Sequence, residues 1–310
     1  MCREDVKETV NSPSSSKENH TENNQSPNPV IHSPVPIHNK PNFASPIIVD
    51  TSIQQYPTLS RLFNGIKNFL DAQKSVLIAQ NPGIMLENAK FRLIKKSEFD
   101  QFEKFTIPLM NSMLTEFFEP FLSLNQEEKM LILRIFALKF SIMIKMYQTI
   151  KTFPDIQDTR GVVHYCYIYD TKNIDAFVCE YENPEQHFKL TDAILKRARE
   201  LANKFLAYNF GDMECAALSY IIFSIASEKV PNIEPQVERI KNMVFKEIHG
   251  YYVTNFGVEQ GGIKFCQLFH SIFHEIMIFY NKLHEDLTVA TVFLEDFFDT
   301  WMDMNAFEDK

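Results

Sequence analysis

The stretch Phe117–Phe140, FFEPFLSLNQEEKMLILRIFALKF, constrains this chain more than any other. An aromatic helix end runs into a proline turn, and a new helix begins at once. Asn125 suits an N-cap, because its side chain can accept from a backbone N–H that the helix leaves unpaired. Glu128, three residues on, completes a capping box. Beyond it come Met130, Leu131, Ile132, Leu133, Ile135, Phe136, Leu138, Phe140, Ile142, Met143, Ile144 and Met146. At 100° per residue, Glu127, Arg134, Ser141, Lys145 and Gln148 fall on one narrow stripe, and Lys129 and Lys139 lie elsewhere on the circumference. Nearly everything else is apolar, so the helix has to be buried on several sides. Outside a membrane that places it in a middle layer, with helices packed on both faces.

The rest of the chain divides sharply. Residues 11–46 hold 7 Pro, 7 Ser and 7 Asn, with Val30, Ile31, Val35, Ile37 and Phe43 as the bulky apolar residues. Such a segment cannot bury enough apolar surface to offset its ordering entropy, and residues 1–50 read as a disordered linker. Residues 51–310 read as one large domain holding 27 of the 28 Phe, so its core is large or encloses something. Only 8 Gly occur in the chain, too few for a turn-dense β sandwich. Of the net charge of −9, −7 falls on the domain, which gives it no overall attraction for phosphate backbones; no direct nucleic-acid binding is expected. The five cysteines form no C-x-x-C pair, which excludes zinc-finger spacing, and no metal or cofactor is expected. The start, MCREDVKETV, is too charged for a signal peptide, and the apolar run near Ser219–Ala226 is far short of the roughly 18 residues of a membrane span. No membrane association is expected.

Periodicity predicts helices over Thr51–Lys74, Glu98–Glu119 (with Pro108 as a kink or break), Gln126–Lys151, Lys189–Tyr208, Asp212–Glu228, Pro235–Phe256 and Gly262–Leu283. A last amphipathic helix is predicted over Thr291–Met302, with Phe293, Leu294, Phe297, Phe298 and Trp301 on one face. After the central helix the period changes to two. Val162–Tyr169 and Ala176–Tyr181 read as the arms of a small hairpin around the polar turn Asp170–Asn173.

This order of elements, with FFEPFLSLNQEEKMLI in its place, resembles the ligand-binding domain of nuclear hormone receptors, in particular the group expanded in nematodes. The resemblance rests on the turn Phe121-Leu122-Ser123-Leu124, the polar pair Glu128-Lys129 and the apolar pair Leu131-Ile132. Tyr56-Pro57-Thr58-Leu59 is similar to that group's opening helix, and Glu214-Cys215-Ala216-Ala217-Leu218 to its E-x-x-x-L motif. Met1-Cys2-Arg3-Glu4-Asp5-Val6 is similar to the stretch that closes the receptor zinc module. The resemblance implies an all-α fold: a three-layer antiparallel helical sandwich with one short β-hairpin. It implies a ligand-regulated transcription factor module in the nucleus, or also in the cytoplasm. On this view the chain lacks its own zinc-finger DNA-binding domain and residues 1–50 are the hinge. The alternative is a ligand-independent module for dimerisation or co-regulator binding.

Site residues follow from the same resemblance. A pocket for a small lipophilic ligand would be lined by Phe102, Phe105, Leu109, Met113, Phe136, Met143, His270 and His274. A filled core without ligand suits the Phe and Met content equally. Co-regulator proteins would meet a groove of Lys129, Leu294, Asp296, Phe297 and Phe298. In it Phe293–Phe298 supplies the family's closing pattern, with Asp296 where Glu is usual. Glu119 is acidic where a basic residue would favour the C-terminal carbonyls of a docking helix. A homodimer or a heterodimer with another receptor is the remaining partner expectation. His270 and His274 stand at i, i+4, but Ser271 rather than Glu follows His270, so the pair is not a zincin motif. No Ser-His-Asp order, Gly-rich phosphate loop or nucleophile elbow occurs, and the chain is expected not to be an enzyme. The rival reading takes Glu295-Asp296-Phe297-Phe298-Asp299 as the aspartate-rich motif of a terpenoid synthase, but that chemistry needs a second metal motif downstream. Mg²⁺-dependent turnover of prenyl diphosphates by the purified chain is therefore expected to be absent, which a pyrophosphate-release assay checks.

Overall fold

The computed structural model describes residues 55–86, 91–294, 297 and 299–301. The linker, hinge and zinc-module readings fall on residues 1–50 and lie outside the described residues. Helix α1 (Pro57–Gln80) starts with proline at its first position, where the missing N–H costs nothing. Its free N–H groups at Thr58 and Leu59 donate to the Glu247 carboxylate at 3.1 and 2.9 Å, a cap supplied from far along the chain. The one-turn helix α2 (Gly83–Leu86) and strand β1 (Arg92–Leu93) lead to α3 (Lys96–Phe117). Gly65 allows α1 and α3 to touch: a Cβ there would stand 2.7 Å from the Phe117 ring.

The central helix α4 runs from Gln126 to Thr152. Its capping box is formed as read from sequence: Asn125 Oδ1 accepts from the Glu128 N–H at 2.9 Å, and the Glu128 carboxylate accepts from the Asn125 N–H at 3.0 Å. After α4 come β2 (Arg160–His164), β3 (Tyr167–Asp170), the short α5 (Asp175–Val178), α6 (Pro184–Tyr208), α7 (Asp212–Ser227) and α8 (Glu234–Phe256). Helix α9 (Val258–Gln267) passes through a π turn at Leu268–Ile272 into α10 (Phe273–Phe293). The layers are built around α4. It packs on α7 beside it and on α3 at one face, and on α6, α10 and β2 at the other, while α1 covers α3 and α7 from outside. Leu133, Phe136, Phe140, Met143 and Ile144 are all buried, as a helix enclosed on several sides requires. The expected all-α, three-layer sandwich with a small β element is the fold observed.

Several local expectations are corrected. The hairpin is contained within Arg160–Asp170: β2 and β3 pair antiparallel in the register Val162↔Ile168, and the chain turns at Tyr165–Cys166, with Cys166 at a φ of 62°. Ala176–Tyr181 is not the second arm. Asp175–Val178 is helical, because Ile174 and Val178 both bury against the domain. The second neighbour of β3 is instead β1, parallel in the register Leu93↔Ile168, and two residues are too few for alternation to be seen in sequence. Cys166 is buried at the hairpin turn and Cys179 lies beyond α5, not on a strand. Pro108 does not end α3. Pro108 and Lys104, whose carbonyl loses its helical partner there, are both exposed, so water can serve that carbonyl. The helix expected over Gly262–Leu283 begins earlier, at Val258, and runs on to Phe293, taking the first residues assigned to the last helix.

Two substitutions test this frame. Phe136→Ala is expected to destabilise by about 3–5 kcal/mol, because Phe136 is fully buried against Phe118 and Phe140 and its removal leaves a hole there. Asn125→Ala is expected to cost about 1 kcal/mol through the lost cap. Urea unfolding of both variants measures the difference.

Candidate ligand cavity

A cavity of about 140 Å³ lies where the packing around α4 does not close. Leu138, Ile142, Lys145 and Met146 of α4 form its floor, Val162, Val163 and Tyr169 of the hairpin one side, and His187, Leu190, Ile194 and Ala198 of α6 the other. The start of α3 contributes Lys96 and Phe99, and α10 contributes Phe279, Leu283 and Leu287. The remaining wall is the C-terminal segment, through Phe297, Asp299 and Trp301. Aliphatic and aromatic side chains dominate the lining, with a few polar groups among them, the composition of a small-molecule site.

None of the eight pocket residues named from sequence lines this cavity, although it opens among the elements expected to enclose it. Phe136 and Met143 are buried on the other side of α4: Phe136 stacks on Phe140 at 4.9 Å and meets Phe118 at 6.1 Å. Leu138 stands 200° around the helix from Phe136. Phe102 packs edge-on against His164 and Tyr167, and Met113 is buried further along α3. Leu109 is half-buried, whereas Phe105, His270 and His274 are exposed. On a helix that is apolar all round, periodicity cannot tell the packed face from the hollow one.

The co-regulator residues are not brought together either. Lys129, in the first turn of α4, lies 5.9 Å from the Phe121 ring centre. Phe297 instead stacks near His187 at 6.4 Å and lies 5.6 Å from the Lys96 ammonium, by the opposite end of α3. The part of α4 that shares the cavity with Phe297 is 13 residues beyond Lys129 at Ile142, about 20 Å along the axis. Leu294 is half-buried just past α10, and Asp296 and Phe298 lie outside the described residues. Phe293, expected on a buried face, is 75% exposed as the last residue of α10. Glu119 is exposed and paired with Arg61 of α1, which holds its carboxyl below the usual range.

Two charged clusters border the cavity. Glu103 of α3 is fully buried, with its carboxylate 2.7 Å from Lys145 Nζ and 2.8 Å from His164 Nε2, the latter off the ideal hydrogen-bond direction. Ser141 Oγ donates to it at 3.4 Å. Burial alone would raise this carboxyl, but Lys145 and His164 outweigh it and bring it down to about 2. Burial keeps the His164 ring neutral, with its pKa below the ordinary value. Within the polar stripe read on the central helix, Ser141 and Lys145 thus form an internal seam, because Glu103 on the facing helix satisfies them, while Glu127 at the start of the stripe is exposed. Sequence gave no sign of this pairing, since the residues stand 38 and 42 positions apart.

The second cluster fastens the C-terminal segment. Lys96 Nζ contacts both Asp100 oxygens at 2.5 Å and lies 3.9 Å from Asp299. Thr300 Oγ1 donates to the Asp100 carbonyl at 3.2 Å, and Asp299 accepts from the Trp301 N–H at 2.9 Å. Asp299, Thr300 and Trp301 are all buried. Two carboxylates share one ammonium here. Burial, with Asp299 and Glu103 nearby, pushes Asp100 up to about 6 despite Lys96.

Comparison with known protein families matches residues 87–293 to the ligand-binding domain of nuclear hormone receptors. The chain belongs to the nuclear hormone receptor ligand-binding domain family. The match spans β1 to the end of α10, which includes the central helix and every wall of the cavity except the C-terminal one. It is a match to the family as a whole. No curated protein matches the chain. The family is a ligand-binding module of transcription factors and is not enzymatic. No group of His, Cys, Asp or Glu able to hold a metal ion occurs among the described residues, and no helix there is long and apolar enough to cross a membrane.

Trp301 is the chain's one tryptophan and reports on the docked segment directly. Asp100 facing Lys96, Asp299 and Glu103 takes a proton more readily than a free carboxyl, so its contribution favours docking at low pH and is lost as pH rises through about 6. Trp301 emission is therefore expected to shift to the red and become more quenchable by iodide across that range, and Asp100→Asn should remove the step.

Proposed function

We propose that this chain is the ligand-responsive module of a transcription regulator acting in the nucleus, and that occupancy of the cavity sets how firmly the C-terminal segment docks. One observation carries this reading: Phe297, Asp299 and Trp301 both close the cavity and hold the segment in place. A ligand that packs against them favours the docked state, and one that needs their space opposes it. Either shifts the balance only by its difference in affinity for the two states. We assign the co-regulator contact to the rim at the start of α4, where Lys129 is half-buried and Arg61 offsets the charge of Glu119. A homodimer or a heterodimer with a second receptor completes the assembly.

The cavity's size supports a second reading. About 140 Å³ is below the roughly 300–1,000 Å³ of sites for drug-sized ligands, as a ligand-independent interaction module would have. Thermal unfolding of the purified chain with fractionated lipid extract separates the two. A ligand present at a hundred times its Kd should raise the midpoint by roughly 5–10 °C. A lipid identified by mass spectrometry of the purified chain would support the first reading in the same way. Removal of residues 294–310, which leaves α10 whole, should abolish ligand-dependent binding of a co-regulator peptide. Unchanged peptide capture by that variant, with no thermal response to any extract, supports the second reading.

A further inference from the structure

Most polar side chains that line the cavity are already engaged. Lys145 is held by Glu103 at 2.7 Å, and Lys96 by Asp100 at 2.5 Å with Asp299 at 3.9 Å. Asp299 also accepts from the Trp301 N–H at 2.9 Å. Tyr181 and His187 lie face to face, with ring centres 3.4 Å apart. The Tyr169 hydroxyl is closed off against Gly161, where a Cβ would fall 2.4 Å from its oxygen. The buried Arg199 guanidinium near that phenol donates to the carbonyls of Phe153, Asp155 and Arg160. Two polar side chains of the lining remain: the Trp301 indole on the C-terminal wall, and Thr191 on α6.

Thr191 stands among Leu190, Ile194, Leu195 and Ala198, the apolar face that α6 turns to the cavity. At about 100° per residue it falls between Ala198 and Ala202, which are both buried, so the position points inward. A threonine inside a helix ordinarily returns its hydroxyl to a carbonyl three or four residues back. Thr106, Thr115, Thr288 and Thr291 do so at 2.7 to 2.8 Å. Thr191 makes no such bond among the described residues, and unlike Tyr169 its half-buried side chain is not sealed. Its hydroxyl therefore has a proton to give and an open surface from which to give it. Resting on the reading of this cavity as a ligand site, we infer that its occupant is a compact lipophile with one hydrogen-bond-accepting oxygen, and that the Thr191 hydroxyl donates to that oxygen. The volume, about 140 Å³, is on the scale of the engineered protein cavity of about 150 Å³ that takes benzene, so the body of the ligand is small while the C-terminal wall stays in place. The apolar neighbours hold that body, and the hydroxyl fixes which end of it meets α6.

Acetophenone and α-methylstyrene share one outline and differ in a carbonyl against a methylene, so the pair isolates the hydrogen bond. Affinities for the full chain, and for its Thr191→Val and Thr191→Ser variants, are read by titration calorimetry at pH 7.5. The unaltered chain should bind acetophenone roughly three- to tenfold more tightly than α-methylstyrene. Thr191→Val keeps the outline of the side chain and removes the hydroxyl, and should bring that ratio close to one. Thr191→Ser keeps the hydroxyl and should retain the preference. Thr191→Val should also melt no lower than the unaltered chain, because its missing hydroxyl had no bond to lose. Equal binding of the two probes by the unaltered chain would overturn the inference while leaving the ligand-site reading intact. So would a preference that survives in Thr191→Val, which moves the contact to the Trp301 indole, a preference lost in Thr191→Ser, or a lowered melting temperature in Thr191→Val. Binding of neither probe would overturn both.

Discussion

Enclosure of α4 is the constraint on which the rest of the structure depends. A 27-residue helix with apolar side chains on nearly every side has no face to offer water. Four other helices and a strand must therefore converge on it, and their order in the chain follows from where each can reach. The outer helices are amphipathic because they complete this enclosure from one side only. The hydrophobic effect is non-directional, so it accounts for the convergence but not for its exact geometry. Geometry comes from local devices: the Asn125–Glu128 box that starts α4, the Glu247 cap on α1, and Gly65 under Phe117.

Charged groups such as Glu103, Lys145 and Lys96 enter this core beside opposite charges, and their placement separates packed regions from hollow ones. Glu103, Lys145, His164 and Ser141 join α3, α4 and β2 through a buried seam. Breaking such a seam by removing Glu103 or Lys145 is costly, because the other charge is left buried without its partner. On one side of it Phe102, Phe136 and Met143 fill the interior, and on the other lies the cavity. The seam is a stiff wall between core and cavity. The opposite wall, Phe297 and Asp299–Trp301, is held to the start of α3 through Lys96 and the Asp100 carbonyl.

The sequence revealed the large pattern and missed the small displacements. The central helix, its cap and the three-layer order were legible because each depends on many residues or on a strong local rule. Helix starts at Lys96, Pro184 and Val258 were missed by a few residues, since end turns lack a repeating signal. The hairpin was placed too far along because Val162–Tyr169 could be one arm or two, and only the left-handed Cys166 decides it. Pocket residues were the least legible. Phe136 and Leu138 are equally apolar, yet one touches Phe118 and Phe140 and the other the cavity. That distinction lives in tertiary packing, as does the pairing of Lys145 with a carboxylate 42 positions away.

The π turn at Leu268–Ile272 carries a consequence for phase. Such a turn is what a single extra residue looks like when an α-helix absorbs it, and it rotates everything downstream by about 100° relative to everything upstream. Helices α9 and α10 are one rod made of two segments with mismatched angular frames. A wheel drawn through both misassigns one of them; His270, within the turn, and His274, just past it, are both exposed. The same rule applies to recombination between related chains. A crossover on either side of the turn keeps each frame whole, whereas loss of one residue within it would rotate Phe279, Leu283 and Leu287 out of the cavity wall together.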